Sequence, residues 1–225
     1  MYRLRTVYTG VSGICHIVVI RRNIMSKSVI LCGVGGQGTV LASKLISYAA
    51  MAKGEAVKSA ETIGMAQRGG SVTSHVRIGE GAFSPLIPEG KADVMIAFEP
   101  AEAVRNLPYL KKDGVVVVSK KAVKPVTASL SEKVYEGKDM LDYLEKKVDR
   151  LVVVDGEKAT SNLGSSKVLN VVLLGAAIAS EELNITMEEI RAAIREKVPE
   201  KFHELNDRAL DEGALLYSEG VQTVC

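Results

Sequence analysis

The chain has 225 residues, 47% hydrophobic and 25% charged, which is enough apolar material to bury the core of one α/β domain and too much for a disordered chain. The formal net charge is +2 and aromatics make up 4%; with Lys and Arg scattered, this excludes a clustered basic face or a base-stacking platform for nucleic acid. The three cysteines, Cys15, Cys32 and Cys225, stand far apart with no CxxC pair. They point away from a disulfide framework and toward a reducing cytoplasm, and they cannot by themselves supply the ligands of an iron–sulfur cluster.

Residues 7–20 are apolar but interrupted by Thr9, Ser12 and His16, and they end at Arg21 and Arg22. The run is too short and too polar to span a bilayer, and it lacks a small-residue cleavage site. Met25 is the expected natural start, with residues 1–24 a start-site extension outside the fold.

Residues 28–32 read as a β-strand ending in a glycine cluster. Residues 39–53 follow as a helix, with Leu41, Leu45, Tyr48, Ala49 and Ala52 on one face and Gly54 as the stop. Residues 56–60 read as a second strand. Residues 72–78 alternate, with Val72, Ser74, Val76 and Ile78 on one side and Thr73, His75 and Arg77 on the other. Residues 94–98 form a further strand, and Pro100 after Glu99 opens a helix. The apolar runs 115–118 and 151–154 read as strands covered on both faces, with a helix over 138–148 between them. Residues 168–179 predict a buried helix. Thr186 and Glu189 form a capping box for the next one, which Pro199 closes. This order predicts a three-layer α/β fold: a mostly parallel sheet with helices on both faces, a Rossmann-like start and a helical C-terminal third.

Gly33, Gly35, Gly36, Gln37 and Gly38 fit the GxGxxG spacing between a strand and a helix. There the first glycine permits the turn, the second admits a phosphate close to the backbone, and the third lets helix and strand pack. The free N–H groups and positive dipole end of the helix starting near Thr39 suit an anion. One glycine would suffice for a plain turn, so four in six residues argue for close approach by a phosphate or by another subunit's backbone. Glu61, about 20 residues on, stands near where a dinucleotide fold holds a ribose, which keeps a free-standing NAD-dependent dehydrogenase in view. A second glycine-bearing segment follows at once: Gln67 and Arg68 beside Gly69 and Gly70, where an Arg can clamp a phosphate or carboxylate. His75 reads as a hydrogen-bonded structural histidine, and Cys32 as a small buried residue closing a strand.

The glycine loop, Glu61, the run Met65-Ala66-Gln67-Arg68-Gly69-Gly70, Ser74-His75-Val76-Arg77, residues 92–100 and residues 170–175 together resemble the gamma-type domain of 2-oxoacid:ferredoxin oxidoreductases. The resemblance covers residues 25–217 and, within that family, is nearest the small (beta) subunits of indolepyruvate enzymes. It implies one gamma-type domain over 25–225 in a cytoplasmic, anaerobic heterodimer that converts arylpyruvates to aryl-acetyl-coenzyme A and reduces ferredoxin. Thiamine diphosphate, magnesium and [4Fe-4S] clusters are then expected in a large alpha subunit, since this chain lacks a Gly-Asp-Gly metal–diphosphate motif and clustered cysteines. No catalytic residue, metal ligand, membrane or nucleic-acid contact is expected here. Coenzyme A is expected at Gly33, Gly35, Gly36, Gln37, Gly38 and Thr39, with Gln67, Arg68, Gly69 and Gly70 nearby. A docking subunit whose glycine segments only contact the partner is the other alternative.

Overall fold

The first strand, β1 (Lys27–Val34), carries Val29, Ile30, Leu31 and Cys32 in an unbroken buried run, so both its faces are covered. In the computed structural model, which describes residues 26–64, 69–123, 135, 137–220 and 222–223, a tight turn leads from β1 into α1 (Thr39–Ala52). The expected extension 1–24 and the expected ligands Gln67 and Arg68 lie outside the described residues. Strands β2 (Val57–Ile63), β3 (Ser71–Ile78), β4 (Ala92–Ala97), β5 (Leu110–Ser119), β6 (Arg150–Val154) and the short β7 (Gln222–Thr223) complete one sheet. Its order is β2-β3-β1-β4-β5-β6-β7.

β1, β4, β5 and β6 run parallel, as the alternation of strands and helices predicts. A hairpin interrupts that alternation. β3 lies antiparallel between β1 and β2, so β2 is not the direct neighbour of β1. β2 also extends past the expected end at Ala60 to Ile63, which places Glu61 inside the strand rather than after it. The remaining antiparallel pair is β6 with β7.

Helices cover both faces. Val29, Leu31, Val94, Ile96, Val115 and Val117 pack toward α1, α5 (Leu169–Ala179), α6 (Met187–Lys197) and α7 (His203–Gly220). Ile30, Cys32, Met95, Ala97, Val116 and Val118 face α2 (Pro100–Asn106) and α3 (Lys138–Glu145). The short α4 (Gly156–Ser161) follows β6. None of the described helices is long and apolar enough to cross a membrane.

Two packing expectations need correction. The buried stripe of α1 is Ala42, Leu45, Ile46, Ala49 and Ala50, not the stripe through Leu41 and Ala52. Leu41 is 36% exposed, because the helix turns its 42/45/46/49 side to the sheet and α6. Val153 is 37% exposed, so the layer of α2 and α3 leaves that end of β6 uncovered. The capping box of α6 forms as expected: Thr186 Oγ1 accepts from Glu189 N–H at 3.2 Å, and Glu189 Oε2 accepts from Thr186 N–H at 2.8 Å.

Helix α5 is apolar almost throughout and buried from Asn170 to Ile178, so its outer side needs a partner, and α7 supplies it. Two glycines set the distance. A Cβ on Gly175 would run into the Leu210 carbonyl, and one on Gly213 into the Val172 carbonyl. The obstacles are backbone atoms, so the helices would have to part. Gly213→Ala gains about 1 kcal/mol of helix propensity but incurs overpacking at the upper end of about 1–3 kcal/mol. A net destabilisation of about 2 kcal/mol is expected, read as a lower urea midpoint at unchanged slope. A midpoint at or above wild type would contradict this close crossing.

Candidate functional site

Four residues, Gly35 to Gly38, turn the chain from β1 into α1. Gly36 and Gly38 adopt left-handed φ values of 99° and 85°, which residues with a side chain rarely adopt. Gly38 is the N-cap of α1 and offers no side-chain cap, and the first turn carries no acid. The leading N–H groups of the helix therefore lack intrahelical partners at its positive dipole end. Thr39 sharpens this. It is 3% exposed, and its Oγ1 has no hydrogen-bond partner. Leaving a buried hydroxyl unsatisfied costs about 1–3 kcal/mol. At a helix N-terminus beside open backbone N–H groups, the complementary partner is an anion oxygen.

The other loop residues act as framework. Gln37 Oε1 accepts from Val34 N–H at 2.8 Å, and its Nε2 donates to the Phe98 carbonyl at 2.9 Å. Both ends of the amide are engaged inside the protein, so Gln37 braces the loop against the end of β4. A Cβ on Gly33 would lie 2.7 Å from Gln37 Oε1 and 2.8 Å from Phe98 Cβ. The space in front of Gly33 is thus filled by protein and is not open to a ligand. Of the expected loop contacts, Gly33 and Gln37 are thus engaged inside the protein.

The second glycine segment does reach the first. Gly35 N–H donates to the Gly70 carbonyl at 2.8 Å, and Gly69, exposed, takes a φ of 76°. Ser71 Oγ donates to Glu102 Oε2 at 2.7 Å, tying the start of β3 to α2. Glu102 also pairs with Arg105 at 2.9 Å. Glu99 caps α2 by accepting from Glu102 N–H at 3.0 Å, and it accepts from the Tyr135 hydroxyl. Behind the loop, burial first and then the Glu102 and Glu99 carboxyl groups push the Cys32 thiol well above its usual range. It stays a neutral thiol, as its place in β1 suggests.

β1 and β4 are neighbours whose following helices pack on opposite faces: α1 on one, α2 on the other. Their carboxyl ends therefore form a topological switch point, where open α/β sheets bind ligands. The glycine loop, Gly70 and Glu99 all gather there. Glu61 does not serve it as a ribose acid would. Its strand is separated from β1 by β3, and its carboxylate accepts from Ser43 Oγ at 3.3 Å. His75 is buried, accepts from Ile87 N–H on Nδ1 at 3.3 Å and stacks edge-on to Tyr109, the structural role expected of it. Burial lowers its pKa. Arg77 pairs with Ser28 at the far end of β1 and donates to the Ser84 carbonyl at 3.1 Å, away from the loop.

Sequence reasoning missed Ser71, Phe98, Glu102 and Asn170 as parts of this region. Asn170 carried a visible signal: it is the single polar residue in α5, Leu169–Ala179. It packs against Gly38, where a Cβ would come within 2.7 Å of its Nδ2.

Comparison with known proteins matches residues 28–216 to pyruvate ferredoxin/flavodoxin oxidoreductase. The indolepyruvate oxidoreductase subunit IorB of Archaeoglobus fulgidus is 40% identical over 84% of this chain and 94% of its own. The subunit of the same name from Thermococcus kodakarensis is 38% identical over 83% and 93%. Among solved structures, the gamma subunit of a keto/oxoacid ferredoxin oxidoreductase from Geobacter sulfurreducens superposes with a TM-score of 0.63 at 25% identity, covering 86% of this chain and 99% of its own. A 2-oxoglutarate:ferredoxin oxidoreductase from Magnetococcus marinus, solved with 2-oxoglutarate, coenzyme A and succinyl-CoA, shares the fold at 20% identity and a TM-score of 0.63; the match covers 86% of this chain and 31% of that one. A match across residues 28–216, together with relatives that it covers almost end to end, establishes that the chain belongs to the pyruvate ferredoxin/flavodoxin oxidoreductase family.

Proposed function

We propose that this chain is the small subunit of an indolepyruvate ferredoxin oxidoreductase and that its glycine loop holds a phosphate of coenzyme A. The reaction converts an arylpyruvate and coenzyme A to aryl-acetyl-coenzyme A and carbon dioxide, with two electrons passing to ferredoxin and one proton released. A large alpha subunit holds thiamine diphosphate with magnesium, which supplies the carbanion chemistry, and the [4Fe-4S] clusters that carry the electrons out. This chain's residues bind and orient the acyl acceptor. The N–H groups of Gly36, Gly38 and Thr39 and the Thr39 hydroxyl would hold a phosphate, with Gly70 fixing the rim through Gly35. Gln67 and Arg68 are assigned to the same ligand from their place in the second segment. Substrate class follows the small-subunit relatives named for indolepyruvate, at 38–40% identity. Coenzyme A follows the related complex solved with it.

The observation that carries the coenzyme A assignment is the buried, unpartnered Thr39 hydroxyl at the start of α1. It yields a prediction of opposite signs. In the assembled complex, Thr39→Val removes a hydrogen bond to a charged acceptor, about 1.5–3 kcal/mol, so the KM for coenzyme A should rise about 10- to 100-fold with little change in kcat. Without ligand, the same change removes an unsatisfied hydroxyl and should leave thermal stability equal or higher. An unchanged KM would leave the loop as a docking element only.

For substrate choice, the anaerobically purified complex should reduce ferredoxin with indolepyruvate at a kcat/KM at least about 10-fold above that for pyruvate, a difference of roughly 1.4 kcal/mol. Preference for pyruvate would overturn the arylpyruvate assignment and leave the family intact.

A further inference from the structure

Strand β2 closes one end of the sheet and has β3 as its neighbour on one side only. The bonds to β3 fix which way its backbone groups point. Gly79 N–H donates to the Ala56 carbonyl at 2.7 Å, and Gly64 N–H donates to the Ser71 carbonyl at 2.9 Å. Both pairs lie in the register that sets Val57 against Ile78. Hydrogen-bonded and non-hydrogen-bonded pairs alternate along an antiparallel ladder. Lys58, Ala60 and Thr62 therefore bond to β3, whereas the N–H and C=O groups of Val57, Ser59, Glu61 and Ile63 point away from the sheet. Among the described residues, no strand takes them up.

A long bare edge invites another strand, and proteins guard against this with short edge strands, proline, bulges or splayed charges. The opposite end of this sheet is guarded in that way, because β7 has only 2 residues. β2 has 7 residues, contains no proline and follows β3 in an unbroken register. Its lysine, Lys58, is drawn back to the Phe83 carbonyl at 3.1 Å and so does not screen the edge. The same bond holds Phe83, 79% exposed, beside β2. The stretch after Phe83 is fixed in place, since Arg77 donates to the Ser84 carbonyl and Ile87 is buried. An exposed aromatic on a fixed loop next to an open strand marks a surface for strand addition.

We infer that β2 is the seam at which a second copy of this chain adds antiparallel, joining two sheets into one about a two-fold axis at Ala60. In that register the strand is complementary to itself. Val57 lies opposite Ile63 of the second copy and Ser59 opposite its Glu61, so every outward-facing residue of the strand has a partner. Lys58 lies opposite Thr62. Ala60, the smallest side chain in β2, meets its own copy at a non-hydrogen-bonded pair, where strands approach most closely. Like charges, which destabilise a ladder when directly opposite, do not face each other. An axis at Glu61 would oppose two carboxylates, and one at Ser59 would leave Ile63 unpaired. The contact uses the same surface on both copies and closes at two. It also points the two glycine loops to opposite ends of the joined sheet, so each remains open to its own large subunit. The inference does not depend on what the glycine loop binds.

The test is disulfide trapping in the assembled complex. Ala60→Cys sets two thiols on backbones whose Cα atoms stand about 4.5 Å apart, within the roughly 4.4–6.8 Å that a disulfide spans. Mild oxidation should link most of this chain to itself, seen as a band of twice its mass on a non-reducing gel. Thr62→Cys lies off the axis, with its copies roughly 13 Å apart along the strand, and should link no more than wild type. A second readout uses charge. Differently tagged Ala60→Lys and Ala60→Glu copies should co-purify with each other about 5-fold better than either does with its own kind. Linking by Ala60→Cys that does not exceed that of Thr62→Cys would overturn the inference, as would co-purification blind to the charge at position 60. A link from Ala60→Cys to the large subunit would overturn it too, and would assign the edge to a strand of that subunit.

Discussion

Gln37 closes the turn between β1 and α1 by taking the Val34 N–H on Oε1 and giving Nε2 to the Phe98 carbonyl. That single side chain ties the end of β1 to the end of β4, the two strands between which helices change sides of the sheet. It also spends the loop's own polar side chain inside the protein. What remains to face outward is backbone: Gly36, Gly38 and the first turn of α1. The arrangement suits a ligand recognised by its charge and its oxygen atoms, and it explains why four glycines stand within six residues.

The packing beneath is organised to hold this rim still. α1 lies on the face that α5, α6 and α7 cover, and α5 is drawn against α7 through Gly175 and Gly213. The N-terminus of α5 is thereby delivered to the N-terminus of α1 at Gly38 and Asn170. On the other face, Glu99 and Glu102 fasten α2, Tyr135 and Ser71 together. The segment after β2 is thus anchored at Ser71 and Gly70, and it approaches the loop through the Gly35–Gly70 bond. On the proposed reading, in which the chain binds and orients a ligand for a partner, such rigidity matters more than a nucleophile of its own.

Much of this was legible in the residues. The parallel strands β1, β4, β5 and β6 announce themselves as short continuous apolar runs, and the capping box at Thr186 and Glu189 is local chemistry that needs no tertiary context. The hairpin of β2 and β3 was harder to place, because strand direction and neighbour order are set by non-local pairing. That pairing removes Glu61 from the position that a dinucleotide fold would give it. The α1 stripe shifted because periodicity gives a face only to within about one residue, and contact with α6 decides between neighbouring choices. Within the glycine loop, spacing alone could not separate Gly33 and Gln37, which meet Phe98, from Gly36, Gly38 and Thr39, which do not. Asn170 lies far along the chain from the loop, and only the fold brings it beside Gly38.

The most direct test of the account is a structure of the complete complex with coenzyme A bound. A phosphate within hydrogen-bonding reach of Thr39 Oγ1 and the N–H groups of Gly36 and Gly38 is the predicted result. Coenzyme A seated wholly on the partner, with the Gly35–Thr39 turn covered by partner backbone, would contradict it and would make this chain a docking subunit.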